Sequence, residues 1–142
     1  MKLLKWEESI SVNDELIDKQ HQELYKIVNK LIANCNVNFD YAIAKNIIEE
    51  LKAYSFYHFN DEEEMLEERQ YPFIDKHIEE HNGFRIKIND ISSRFNKNKD
   101  KETIRELLTY VVEWVTNHTN EFDLDYKKYL NSDSYFSEQT KP

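Results

Sequence analysis

Four stretches of this chain carry inward-pattern residues at alternating steps of three and four, and little between them would break a helix. Ile17, His21, Leu24, Val28, Leu31 and Cys35 are spaced 4, 3, 4, 3, 4, the seam of a helix packed in a bundle. A second stripe passes through Ala44, Ile47, Leu51, Tyr54, His58, Glu62 and Met65 or Leu66, and a third through Ile74, His77, His81, Phe84, Ile88, Ile91 and Phe95. A fourth takes Ile104, Leu107, Val111, Trp114, His118 and Phe122, and fades near Leu130. One glycine and two prolines in the whole chain are too little turn punctuation for a sheet of short strands. The pattern predicts an all-α fold, an antiparallel up-down-up-down four-helix bundle with short connections.

Residues 1–14 lack a sustained helical period and predict an extended N-terminal arm, with Trp6 and Ile10 against the body. Asn13 or Asp14 caps the first helix. The second helix spans about residues 40–68. Tyr71-Pro72 stops it, and Pro72 suits the first turn of the third. Gly83 falls inside the third helix, where glycine loses about 1 kcal/mol relative to alanine, a loss that close packing around it would offset. Residues 96–101 read as a solvated connection. The bundle then occupies residues 1–131, and the polar stretch 132–142 is expected to be a loosely held tail.

A chain of 142 residues can bury a core without staples, so a metal here would serve function more than folding. Its 28 acidic and 19 basic residues give a net charge of -9, which argues against nucleic acid and against an anionic membrane surface as partners. Cys35 is the only cysteine, so no internal disulfide can form and a reducing interior fits. The N-terminus reaches Glu7 and Glu8 before any apolar run long enough for a signal peptide or a membrane span. The expectation is a soluble, cytoplasmic protein.

The chemistry lies on the inward stripes. His77 and His81 are four residues apart, about 40° around a helix and one turn along it, so both imidazoles can reach one ion. The other histidines follow suit: His21 on the first helix, His58 with Glu62 on the second, His118 with Asp123 on the fourth. Counted from the turn near residue 70, His58, Glu62, His77 and His81 sit roughly 10 to 18 Å from that end. Counting from the opposite turns brings His21, His118 and Asp123 into the same layer. Five histidines and two carboxylates at one level of a core would be costly to bury unless they bind something. Other metal motifs fail on spacing: a zinc protease helix needs HExxH, but residue 78 is Ile, and no histidine has Glu three residues before it, as ferritin-like sites require. The five-residue step from His118 to Asp123 turns about 140° on a regular helix, so a π-type bulge or loosened turn is predicted there. Asp18, three before His21, could orient that imidazole or simply face solvent, and Glu63 and Glu64 read as a wet face.

This combination resembles the hemerythrin family, in its stand-alone bacterial form. The resemblance runs from Trp6 to about Leu130, through I-D-K-Q-H at 17–21, H-F-N-D-E-E at 58–63, Y-P at 71–72, H-I-E-E-H-N-G-F at 77–84 and W-V-T-N-H-T-N-E-F-D-L-D-Y at 114–126. It implies two iron ions with an oxo or hydroxo bridge. His77, His81 and His118 would hold one iron, His21 and His58 the other, and Glu62 and Asp123 would bridge them, leaving one coordination position open. Imidazole and carboxylate ligands in six-coordinate geometry suit iron better than zinc. The resemblance further implies reversible dioxygen binding at that position, behind an apolar wall for which Trp114, Val115, Leu24 and Phe59 are candidates, with Phe84 behind. Family members often carry leucine where Val115 stands, and Val-Gly where this chain has Val12-Asn13. The expected function is an oxygen carrier or store and not an enzyme. The rivals are a redox enzyme acting on peroxide, nitric oxide or ferrous iron, and an oxygen or redox sensor. No protein partner is legible.

Overall fold

In a computed structural model of the chain, residues 2–36 and 39–131 are described; the predicted tail, 132–142, lies outside them. Four helices follow the four stripes: α1 (Glu15–Asn36), α2 (Tyr41–Glu68), α3 (Ile74–Asn98) and α4 (Lys101–Asn117). The last continues as a π-helical stretch, His118–Asp123, and resumes as helix over 124–131. There is no strand among the described residues. α1 and α3 each pack against both α2 and α4, closing a four-helix bundle as the spacing predicts. No helix among the described residues is long and apolar enough to cross a membrane.

Two apolar clusters hold the bundle together. The larger includes Leu24, Val28, Leu31, Ile47, Leu51, Tyr54, Phe59, Phe84, Ile88, Ile91, Ile104, Leu107, Val111 and Val115. The smaller gathers Val12, Ile17, Leu66, Tyr71, Tyr126 and Leu130. Each helix passes from one cluster to the other through its histidines: Ile17, His21, Leu24 on α1, and Phe59, Glu62, Leu66 on α2. The same passage is made by Tyr71, His77, His81 and Phe84, and by Val115, His118, Asp123 and Tyr126. The polar layer is thus closed above and below by apolar side chains, each contributing roughly 1.5–3 kcal/mol by its burial.

Local chemistry fixes the helix ends. Asp14 caps α1, its Oδ1 accepting from the Ile17 amide at 3.0 Å, and Asp40 caps α2 by accepting from Ile43 at 3.0 Å. Asn13 has φ 60°, the left-handed region that glycine enters most easily and asparagine next, so asparagine meets the backbone demand of this turn into α1. At the end of α2, the Tyr71 amide donates to Leu66 O and the Gln70 amide to Glu67 O, with Gln70 left-handed at φ 57°. That is a Schellman stop.

Several expectations need correction. α2 ends at Glu68 as expected, but Pro72 lies in the turn ahead of α3 instead of in its first helical turn. α3 runs on to Asn98, so the connection predicted at 96–101 shrinks to Lys99 and Asp100, with Lys99 left-handed at φ 50°. The arm is not extended throughout, because Glu8–Ile10 forms a 3₁₀ turn. Asn29 pins it, exchanging hydrogen bonds with the Leu4 backbone at 2.7 and 3.0 Å. Asp18 does not orient His21. Its carboxylate accepts from Ser11 Oγ at 2.5 Å and from the Val12 amide at 2.8 Å, which anchors the arm. Gly83 is exposed, and a Cβ there would meet nothing within 4 Å, so close packing does not explain it. Gly83→Ala should therefore stabilise the protein by about 1 kcal/mol, raising Tm by about 2–4 °C in a thermal melt followed by circular dichroism.

Candidate metal centre

All seven predicted residues come together in the layer between the two clusters, each at most 3% exposed. Glu62 is at the centre. Its Oε1 lies 3.1 Å from His81 Nε2 and 3.7 Å from His118 Nε2, and makes a short contact to His77 Nε2. Its Oε2 faces the other way, 3.3 Å from His21 Nε2 and 3.4 Å from His58 Nε2. Asp123 divides in the same manner. Oδ1 is 3.0 Å from His118 Nε2 and 3.3 Å from His77 Nε2, and Oδ2 is 3.2 Å from His21 Nε2. Each carboxylate therefore turns one oxygen toward His77, His81 and His118 and the other toward the His21 side.

The π-helix makes this possible. It adds a residue to the turn, so His118 and Asp123, five apart, both point inward. This is the distortion that the spacing predicts.

Two sets of donor atoms could each hold an ion: Glu62, His77, His81 and His118, and His21, His58 and Glu62, with all atoms of a set within 4.8 Å of one another. The contacts within the site support that use. His21 Nε2, His118 Nε2 and both Asp123 oxygens are buried and within ion-pair distance of each other, yet none has hydrogen-bond geometry to a partner. Buried polar atoms left close together without hydrogen bonds fit a site that a cation would complete. Imidazole nitrogens and carboxylate oxygens form a donor set suited to a first-row transition metal.

Without a cation, protons take over the balancing. Burial alone would lower the His77 and His118 imidazoles. Glu62 and Asp123 together overcome it, Glu62 leading at His77, which rises to about 10, and Asp123 leading at His118, which rises to about 9. His58 goes the other way, burial pushing it down to about 3 against the pull of Glu62. Glu62 and Asp123 lie below the usual carboxylate range, since the surrounding imidazoles overcome the cost of burial.

Three supporting residues were not found from the sequence. Gln20 Oε1 is 2.7 Å from His58 Nδ1, and its own amide donates to Asp61 at 2.9 Å. Glu63 Oε2 lies 2.9 Å from His81 Nδ1 and accepts from Arg85 at 3.0 Å, so Glu63 is part of the site's support and not a wet face. The Tyr126 hydroxyl donates to Glu62 Oε2 at 3.2 Å. Such partners fix ring orientation and tautomer. A signal existed for Gln20, a polar residue four before Leu24 on the buried side of α1, and for Tyr126, three after Asp123.

Aromatic and apolar groups close the site. The Phe59 ring stacks on His81 at 4.0 Å and 5°, and Trp114 stacks on His118 at 4.3 Å and 12°. Phe84 meets Phe59 edge-on at 5.5 Å. Leu24 and Val115 are buried in the same cluster. Phe59 and Trp114 thus lie directly against histidines of the site, while Leu24, Val115 and Phe84 share their apolar cluster.

A four-helix bundle with this core defines a class of cation-binding helical proteins. The chain matches the family described as "Hemerythrin HHE cation binding domain" over residues 12–130, and it belongs to the hemerythrin family. It is 30% identical over 135 residues to a bacteriohemerythrin of Stenotrophomonas maltophilia, covering 92% of this chain and 86% of that one. Similar relatives are the bacteriohemerythrins of Clostridium acetobutylicum, 31% identical with 85% and 96% covered, and Campylobacter jejuni, 32% identical with 87% and 92% covered.

The raised histidines set a pH test for the metal-free protein. A group raised on folding contributes stability that is full below its unfolded value of 6.5 and is lost as pH climbs through the folded value, here about 10 for His77 and about 9 for His118. The lowered carboxylates and His58 act at the acid side, where stability falls with falling pH. The urea midpoint of metal-free protein should therefore peak near neutral or slightly acid pH and fall steadily from pH 6.5 to 10. Metal-loaded protein should not show that alkaline fall, because ligation has already displaced the protons.

Proposed function

We propose that this chain binds dioxygen reversibly at a pair of iron ions held by these seven side chains, as a carrier or store. His77, His81 and His118 would serve one ion, His21 and His58 the other, and Glu62 and Asp123 both. The observation that carries this reading is the two-faced placement of the carboxylates: each has one oxygen toward each histidine set. When bound, a pair of ferrous ions under an oxo or hydroxo bridge supplies two electrons that dioxygen can take up and give back.

The chain's own contribution is to position and to exclude. Gln20 and Glu63 hold the His58 and His81 rings so that their Nε2 atoms face inward. Tyr126 holds Glu62 from the side away from the three-histidine set. Phe59, Trp114, Leu24 and Val115 keep bulk water from the ligands, and reversibility depends on withholding protons from reduced oxygen. Valine at 115 has a smaller side chain than the leucine common in the family, which favours a roomier pocket and faster oxidation.

The test is direct. Metal-free protein loaded anaerobically with ferrous iron should retain two irons per chain, change its visible spectrum in air, and return to the starting spectrum under argon. Glu62→Gln should lower iron retention below two per chain, while the exposed Glu64→Gln leaves it at two. Iron retention of one per chain in the native protein would sink the pair. Steady consumption of peroxide or nitric oxide without return of the spectrum would favour the enzyme instead.

A further inference from the structure

One buried polar atom beside the centre has no role in the scheme above: the hydroxyl of Tyr54. Tyr54 is 1% exposed and precedes His58 by one turn on the inner face of α2. Its ring stacks on the His58 imidazole at 4.9 Å and 23°. The hydroxyl lies within electrostatic reach of Glu62 and Asp123, yet it hydrogen-bonds to neither and has no other partner among the described residues. The contrast with Tyr126 is instructive, since that buried hydroxyl is satisfied by Glu62 at 3.2 Å.

An unpaired buried hydroxyl costs about 1–3 kcal/mol, and phenylalanine would fill the same space without that cost. Among the described residues the other unpaired buried side-chain atoms lie elsewhere or belong to the proposed ligands: Trp6 Nε1 in the arm, Asn34 Nδ2 near the end of α1, and atoms of His21, His118 and Asp123. Tyr54 also shares the apolar cluster of Leu24, Phe59, Phe84 and Val115, so a hydrogen-bond donor is set within a wall that otherwise offers hydrocarbon. It stands on the His58 side, where two histidines are present instead of three.

We propose that Tyr54 grips the small molecule bound on the His21–His58 side of the centre, its O–H donating a hydrogen bond to that molecule's outer atom. This rests on the cation-pair reading and adds a preference to it. A phenol donor favours ligands with negative charge at the far end, azide among them, over neutral ones such as carbon monoxide. The same bond would hold dioxygen more tightly once it has drawn electrons.

The probe is azide added to iron-loaded, oxidised protein and followed by its visible absorption and its infrared stretch. Tyr54→Phe should retain the native iron content and helicity but bind azide about tenfold or more weakly, the loss expected for a hydrogen bond to a charged group. Tyr57→Phe, on the neighbouring half-buried ring, should bind azide as the native protein does. In native protein the azide stretch should shift on transfer to D₂O, and in Tyr54→Phe the shift should vanish. Equal affinities, or a native azide band insensitive to D₂O, would overturn the role of Tyr54 while leaving the cation pair standing. Native protein that holds fewer than two irons or gives no azide band would take down both. Should Tyr54→Phe fail to retain iron, the D₂O response of the native band decides alone.

Discussion

The centre depends on the carboxylate of Glu62, fully buried where all four helices converge. An ionised carboxylate in an apolar core is tolerated only when opposite charge and hydrogen bonds surround it. Here the surround comes from α1 through His21, from α2 itself through His58, from α3 through His77 and His81, and from α4 through His118. Tyr126 adds a neutral donor. The requirement works in both directions, because the imidazoles that neutralise Glu62 also fix how the helices stand against one another. Without cations the burden falls on protons at His77 and His118, whose raised affinities show a core poised to accept positive charge.

The π-helix is the local cost of that convergence. Regular α geometry through His118–Asp123 would turn one of the two groups away from the buried polar layer, and the chain gives up regular hydrogen bonding over one turn to keep both. Apolar contacts on each side limit the damage. Val115 lies in the larger cluster and Tyr126 in the smaller, so the helix is held firmly before and after the irregular turn. A strained segment of this kind persists when the surrounding structure over-determines it, and here two clusters and two buried ligands do so.

The periodicity of apolar residues made the bundle legible, and the interruption of that periodicity by histidines made the layer legible. Both rest on a helix burying one face, which is a property of the chain itself. The partners of the ring Nδ1 atoms were harder to see because they depend on the packing of one helix on another. Glu63 looks like surface from its position in an acidic run, and only the approach of α3 brings His81 onto it. Asp18 misled for the opposite reason: its spacing to His21 is suggestive, but the returning arm offers Ser11 and Val12 as closer donors. The second helix ends where its pattern does, at Glu68, but the left-handed residue that makes the stop is not legible, because Gln70 does not advertise that conformation, whereas Asn13 does.

The two halves of the site are unequal in a way that bears on their chemistry. His81 is backed by the Glu63 carboxylate, which Arg85 holds in place, while His58 is backed by the neutral amide of Gln20. A carboxylate behind an imidazole makes it the stronger electron donor. A cation served by His77, His81 and His118 would therefore have one more imidazole and a better donor among them than a cation served by His21 and His58. With cations bound, the poorer side would keep the greater demand for a further ligand, and that is the half of the site where the Tyr54 ring lies against His58.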